Sequence, residues 1–321
     1  MDRDPFTDQG ALLLAESDGC AVWQFHGRGG EGTMTVYQVL PGVMLSFNDF
    51  HMDCFESSFV PGRRMLAIDH CREGRMEYSP VGDRLAYTEA GDVKLDLRLV
   101  HTGAFLFPSR HYHGLTVALD REEAEASLSR AFRDFPVSVE GLIGRWALGP
   151  EPRVLHGAAE LEPVFAAFYR VPDAIRIPYF QVKILELLLC LNALPIPEKG
   201  AGPPYFYRSQ VETVKAIRAF LTQHLSETFT QEELSRRFRI PLTPMKRCFR
   251  AVYGTAIGAW LTKYRMNRAA EMLLTHRDLN IADIGCAVGY DNPGKFTEVF
   301  KRSMGMTPSE YRKERGIRYE I

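Results

Sequence analysis

Residues 92–99 alternate polar and apolar without exception, with Val93, Leu95, Leu97 and Leu99 on one side, which is the period of a half-buried strand. Residues 65–70, 75–78 and 115–119 read as further strands, separated by turn residues at Glu73–Gly74, Val81–Gly82–Asp83 and Ala90–Gly91. Many short strands at regular spacing predict a small β-barrel or sandwich, cupin-like, over about residues 20–120. The period then lengthens to that of a helix over 122–132, 139–146, 158–169 and 179–194. The last segment is apolar around most of its circumference, with Phe180, Val182, Ile184, Leu185, Leu187, Leu188, Leu189 and Leu191. Such a helix is either fully buried or pairs with a copy of itself, and a buried helix that also contributes to a dimer is expected.

Pro195, Pro197, Gly200, Gly202, Pro203 and Pro204 interrupt all periodicity, so residues 195–206 read as a linker. Beyond it, 209–225 is amphipathic, with Val211, Val214, Ile217 and Leu221 along one side. The predicted organisation is therefore α+β. Residues 1–194 form a sensory or dimerising domain (strands about 20–120, helices about 121–194), and 207–321 form an all-α domain.

The all-α part contains one pattern twice. Leu234 and Phe238 recur 50 positions later as Ile284 and Val288, while Met245, Phe249 and Gly254 recur 51 positions later as Phe296, Phe300 and Gly305. Each copy is a short helix, a turn of about four residues and a second helix ending on glycine, the outline of a helix-turn-helix. Neither short helix is stable alone, so their apolar faces must pack together. The second helix of each copy is expected to begin at a cap, Thr243 with Pro244 and Asn292 with Pro293. Its outward face carries Thr243, Lys246, Arg247 and Arg250 in the first copy and Gly294, Lys295, Glu298 and Lys301 in the second. Between the copies a helical stretch of about 20 residues gives roughly 30 Å. One turn of B-DNA is about 34–36 Å, so the spacing suits two recognition helices in successive major grooves.

Charge divides the chain in the same place. Residues 207–321 hold 20 Lys and Arg against 12 Asp and Glu, and the other 206 hold 19 against 28, so a net of +8 faces a net of −9. A basic module beside an acidic one localises attraction for phosphate at the C-terminal end. The six cysteines are scattered without a CxxC pair and are expected to be reduced and mostly buried, with Cys248 and Cys286 packed inside the helix-turn-helix units. The longest apolar run, 184–191, contains Glu186 and is too short to span a bilayer. No signal segment is evident, so cytoplasmic residence is expected.

Residues from about 211 to 312 resemble the DNA-binding domain of AraC/XylS-type bacterial transcriptional regulators. The resemblance is carried by Phe249-Arg-x-x-x-Gly254, Tyr264-Arg-Met-x-x-Ala269, Ile281-x-x-Ile284, Val288-Gly-Tyr290, Phe296-x-x-x-Phe300-Lys301, and Gly305-Met-Thr-Pro308 followed by Tyr311-Arg312. It implies base contacts by Thr243, Lys246 and Arg247 in the first motif and by Pro293, Gly294, Lys295 and Glu298 in the second. The sequence departs from the family at Gly285, where alanine is usual, and at Pro293–Gly294, where polar residues are usual. The second helix is therefore expected to read fewer bases and to rely more on backbone contact. Segments 70–77 and 169–176 are similar to the sensor portion of the pyochelin-regulator-like subgroup, which implies a small-molecule effector, siderophore-like or other.

The competing reading is a cupin-type metal-dependent enzyme fused to a helix-turn-helix tail. His111 and His113 are two apart and share a strand face, with His51, His70 and His101 as third-ligand candidates. A cupin site would also need a glutamate shortly after the pair and a histidine on a later strand, and the next histidine after His113 is His156. No nucleophile elbow, phosphate loop or zincin motif occurs, and Gly27-Arg-Gly-Gly30 lacks the following helix that a phosphate site needs. Trp23, Tyr37, Phe47 and Phe50 are candidates for a ligand pocket or plain core, and His70, Arg72, Arg75 and Glu77 for a pocket wall or, preferably, a solvated hairpin. The sequence therefore predicts a regulator with no catalytic residues, cofactor or metal. Its partners would be double-stranded DNA, an effector, a second copy of itself and, for an activator, RNA polymerase.

Overall fold

Among the described residues, ten strands precede the first helix: β1 (Leu12–Ser17), β2 (Cys20–Gly27), β3 (Gly30–Leu40), β4 (Val43–His51), β5 (Cys54–Phe59), β6 (Met65–Tyr78), β7 (Arg84–Glu89), β8 (Val93–Arg98), β9 (His101–Leu106) and β10 (Tyr112–Asp120). They are followed by α1 (Glu123–Ala131), α2 (Val139–Arg145), β11 (Arg153–Leu155), α3 (Glu162–Phe168), α4 (Arg176–Ala193) and the two-residue β12 (Phe206–Tyr207). The computed structural model describes residues 11–17, 19–59, 64–79, 83–98, 101–196 and 205–316. The chain divides into two units, Met1–Phe206 and Tyr207–Ile321.

In the first unit the sheet runs β1-β2-β3-β4-β10-β6, and β6 then pairs β8 along its first half and β7 along its second. β5 pairs β9, which also meets β6 at Glu77. The pairings among β1 to β11 are antiparallel, and the sheet curls into a half-barrel around a cavity that β2, β3, β4, β5, β6, β8, β9 and β10 all line. Alternation explains how one strand serves two surroundings. On β4, Met44, Ser46, Asn48 and Phe50 face the cavity. Val43 and Leu45 instead enter a core with Leu115, Val117 and Leu119 of β10, Phe165 of α3 and Phe180, Ile184 and Leu187 of α4. The cupin-like barrel followed by helices is thus the architecture observed.

The structure corrects several local expectations. The turn expected at Glu73–Gly74 is absent, and β6 runs unbroken for 14 residues. Gly74 takes φ +85° and a Cβ there would lie 2.0 Å from the His111 carbonyl oxygen, so the glycine permits a bulge where the β6–β10 register shifts. A solvated hairpin at His70–Glu77 is accordingly ruled out, since His70, Arg75 and Glu77 are buried. The helix expected over 158–169 begins only at Glu162. In α4, Phe180, Ile184, Leu187, Leu188 and Leu191 are buried, whereas Val182 and Leu189 are exposed. The turn expected at Val81–Gly82 and most of the expected linker, 197–204, lie outside the described residues.

The second unit is all α: α5 (Arg208–Gln223), α6 (Gln231–Arg237), α7 (Leu242–Tyr253), α8 (Ile257–Thr275), α9 (Ile281–Ala287), α10 (Pro293–Met304) and α11 (Pro308–Gly316). α7 and α10 both end on a left-handed glycine, Gly254 at φ 77° and Gly305 at φ 81°. No helix among the described residues is long and apolar enough to cross a membrane.

Candidate nucleic-acid interface

Each helix pair in the second unit is assembled by the same local chemistry. α6 opens with a capping box in which Thr230 Oγ1 accepts from the Glu233 N–H at 3.2 Å and Glu233 accepts from the Thr230 N–H at 2.7 Å. The Thr230 backbone N–H and hydroxyl, both bonded to the carboxylate, hold the Glu233 carboxyl below its ordinary pKa. α9 opens with Asn280, whose side chain accepts from the Asp283 N–H at 2.8 Å. Leu234, Met245, Phe249 and Val252 bury the joint of the first pair, and Ile284, Val288, Phe296 and Phe300 that of the second. Both leading helices are seven residues long and both second helices twelve.

The two second helices begin differently. α10 starts as expected: Asn292 is its cap, accepting from the Lys295 N–H at 3.0 Å, and Pro293 is its first residue. α7 does not begin at Thr243, as the sequence suggested. Its cap is Pro241 and its first residue Leu242, which puts Thr243 and Pro244 two places deeper. Pro244 is tolerated because the first four N–H groups of a helix lack intrahelical partners. The turn before it is fixed by Arg239 at φ 51° and by a 2.7 Å hydrogen bond from Ser235 Oγ to the Ile240 carbonyl.

Thr243, Lys246, Arg247 and Arg250 are all exposed on α7, and Asn292, Pro293, Gly294, Lys295, Glu298 and Lys301 are all exposed at the start of or along α10. The buried residues on these helices fall on the opposite sides, Met245, Cys248, Phe249 and Val252 on α7 and Phe296, Val299 and Phe300 on α10. α8, 19 residues long, separates the pairs by about 28 Å of helix. One residue with a structural role escaped the sequence reading. Arg265 of α8 is buried, donates through NH2 to the Glu227 carbonyl at 2.6 Å and lies over the Tyr290 ring. Gly289, at φ +83°, makes room for it, since a Cβ there would come within 2.5 Å of the Arg265 guanidinium. The adjacent Tyr264-Arg-Met and Val288-Gly-Tyr290 motifs are therefore two sides of one contact. Cys286, expected in the packing, is exposed, while Cys248 is buried.

Tandem helix-turn-helix pairs with basic outward faces define a DNA-binding module. The second unit is a DNA-binding domain of the AraC/XylS type: residues 234–314 match the family described as a helix-turn-helix domain. The chain is 32% identical over 99 residues to the HTH-type transcriptional regulator ExsA of Pseudomonas aeruginosa, covering 31% of this chain and 35% of that one. It is 29% identical over 120 residues to the HTH-type transcriptional activator RhaR of Cronobacter sakazakii, covering 37% and 40%. The chain thus spans little more than a third of the length of these curated relatives. Among solved structures, the DNA-binding domain of AdpA in complex with a target DNA is 27% identical, covering 33% of this chain and 96% of that one at a TM-score of 0.32.

The first unit holds a different kind of site, a cavity of about 980 Å³ including its open mouth. Phe25, Phe50, Phe55, Phe105, Phe107 and several methionines make most of its wall, so of the aromatic pocket candidates only Phe50 lines it. Tyr37 and Phe47 pack on Phe180 instead, and Trp23 belongs to the neighbouring core. Its polar end is Asn48, Asp69, Arg98 and Thr116. Asp69 bonds Arg98 at 2.7 Å and Lys94 at 3.0 Å, and Asp96 lies 3.2 Å from both cations. Burial raises the Asp69 pKa, but the charges of Arg98 and Lys94 and the Thr116 hydroxyl outweigh it and hold the carboxyl well below its ordinary range. Of the histidines considered as ligands, His70 is buried against Phe165, and the side chain of His101 lies outside the described residues.

Proposed function

We propose that this chain is a sequence-specific, effector-responsive transcriptional regulator. In this reading residues 1–194 sense and dimerise, 195–206 link, and 207–321 bind DNA. The observation that carries it is the pair of exposed, basic recognition helices, α7 and α10, in a tandem domain of the AraC/XylS type. Lys and Arg fix the protein on phosphates, and Lys246, Arg247 and Lys295 reach base edges in two successive major grooves. Thr243, Arg250, Asn292, Pro293, Gly294, Glu298 and Lys301 complete the contact surface. Arg and Lys pair best with guanine, so each half-site is expected to contain G. The test is a titration of purified protein against DNA upstream of its own gene, at several salt concentrations. Arg247→Ala should cost about 1–3 kcal/mol and relax specificity at one position, whereas Lys295→Ala tests the second helix in the same way. Absence of binding at low salt would sink the reading, and uniform weakening on all sequences would confine Arg247 to phosphate.

The cavity supports an effector, and its chemistry favours an uncharged, largely apolar molecule bearing an O–H or N–H donor. Its charged end is already balanced, two carboxylates against two cations, so a carboxylate ligand would leave buried charge uncompensated. The Thr116 hydroxyl donates to Asp69 at 2.7 Å and can therefore only accept from Asn48, whose Nδ2 lies 3.2 Å away. That fixes the amide with its Oδ1 turned elsewhere, buried and without a partner. In a thermal-shift screen, neutral aromatic alcohols and amides should raise the melting temperature of the wild type and lose that effect in Asn48→Leu. Stabilisation by carboxylic acids alone would overturn the assignment.

The exposed apolar positions Ile175, Val182 and Leu189, spaced by seven along and just before α4, support a homodimer, which sedimentation of the same preparation reads directly. We read the protein as a cytoplasmic non-enzyme, in contact with RNA polymerase where it activates.

A further inference from the structure

The face of β4 and β10 turned away from the cavity carries a second polar cluster. Phe50 and Tyr112 point into the cavity, so the residues on either side of each point out: Asp49 and His51 on β4, His111 just before β10 and His113 at its start. The strands pair with Phe50 opposite Tyr112 and Asp49 opposite His113. One further step sets His51 against His111, and their ring centroids are 4.9 Å apart. His51 Nε2 lies 3.0 Å from Asp49 Oδ1. One ligand atom from each of Asp49, His51 and His111 falls within 4.8 Å of the other two. Around them stand two more carboxylates: Glu73, 3.4 Å from His111 Nε2, and Glu31, opposite His51 on β3.

We propose that Asp49, His51 and His111 form a site for a divalent transition-metal ion of the zinc class. Two imidazoles and one carboxylate suit zinc and its neighbours, whereas calcium and magnesium require a shell of oxygens that this cluster lacks. Zinc bonds of about 2.0–2.1 Å in a tetrahedron separate ligand atoms by roughly 3.3 Å. The observed separations, 3.0 Å to within 4.8 Å, bracket that value. The His51 and Asp49 side chains are 61% and 49% exposed, so the adjustment needs only rotation of surface side chains and no repacking of the core. Three ligands leave a fourth position for water, the arrangement of an open site. Glu73 supplies the outer carboxylate that takes one ring N–H of His111 and leaves the other nitrogen unprotonated for the ion. The bound ion clamps β4 to β10 where Phe50 and Tyr112 enter the cavity, so it is a second input to the sensing unit, independent of the DNA reading.

The test uses the full chain with any tag removed and the protein stripped by chelator, titrated with Co²⁺ and read by its visible absorption. The wild type is expected to take up one equivalent and to release it on addition of Zn²⁺. His51→Ala and His111→Ala should each weaken binding at least roughly tenfold, and Glu73→Gln about tenfold, the size typical of an outer-shell carboxylate. His26→Ala, an exposed histidine on the neighbouring β2, should leave it unchanged, and metal-free circular dichroism spectra of all variants should superimpose. No uptake by the wild type at submillimolar metal would overturn the proposal. So would wild-type affinity in the His51→Ala, His111→Ala double variant, or an equal loss in His26→Ala.

Discussion

Phe296→Ala is expected to remove about 3–5 kcal/mol of stability and to abolish DNA binding. The ring is fully buried between Tyr290 and Phe300, in a core with Met266, Ala269 and Leu273 of α8 and Ile284 and Val288 of the second helix pair. Truncation leaves a cavity that two short helices cannot collapse around, because α9 has seven residues and, beyond its Asn280 cap, depends on this packing. A domain of this size holds about 5–15 kcal/mol in total, so the loss takes a large part of it. Urea unfolding of the full chain, with salt-dependent DNA binding measured on the same preparation, checks both halves. A cost under about 1 kcal/mol would contradict the packing argument. Full stability with lost binding would place Phe296 in the interface rather than the core.

Asp69→Asn is expected to cost about 3–5 kcal/mol in the N-terminal unit. The substitution leaves Lys94 and Arg98 buried with Asp96 as their remaining carboxylate. The pH dependence has a definite sign. The folded Asp69 titrates below its ordinary range, so its contribution is fully present above the unfolded pKa of about 3.9 and is lost as pH falls from there toward the folded value. Wild-type stability should therefore decline on acidification below about pH 4, and Asp69→Asn should flatten that part of the decline. Denaturant melts at neutral and acid pH, followed through Trp23 and Trp146 of the first unit, would show it. An unchanged acid limb in the variant would mean other carboxylates set it.

The DNA-binding half was legible because its signals are local. The cap at Asn292, the prolines at 244 and 293 and the closing glycines at 254 and 305 act within one helical turn, and the same pattern occurs twice. Cys286 is exposed rather than packed, and the start of α7 shows an offset of two positions. The offset arose because a proline is accepted at any of the first positions of a helix, so Pro244 did not mark the first. The N-terminal half was legible only in outline. Gly74 carries a turn signal, yet its fate depends on a backbone oxygen at His111, 37 residues away, that occupies the space of a Cβ. His70, Arg75 and Glu77 look like a solvated group along the chain, yet His70 is buried against Phe165 of α3, and Arg75 and Glu77 bond Glu89 and Tyr87 of β7.

By itself the sequence determined the α+β division, the tandem helix-turn-helix and the faces of its recognition helices, since hydrophobic period, capping and charge are properties of neighbouring residues. Only the tertiary structure decided what the N-terminal sheet encloses. The cavity draws its wall from eight strands, the Asp69–Lys94–Asp96–Arg98 group joins β6 to β8, and Asp49 and His51 meet His111 across 60 residues of chain. Strand alternation tells which residues share a face, but which strands become neighbours is fixed by pairing and curl over the whole sheet, and that is where ligand chemistry is assembled.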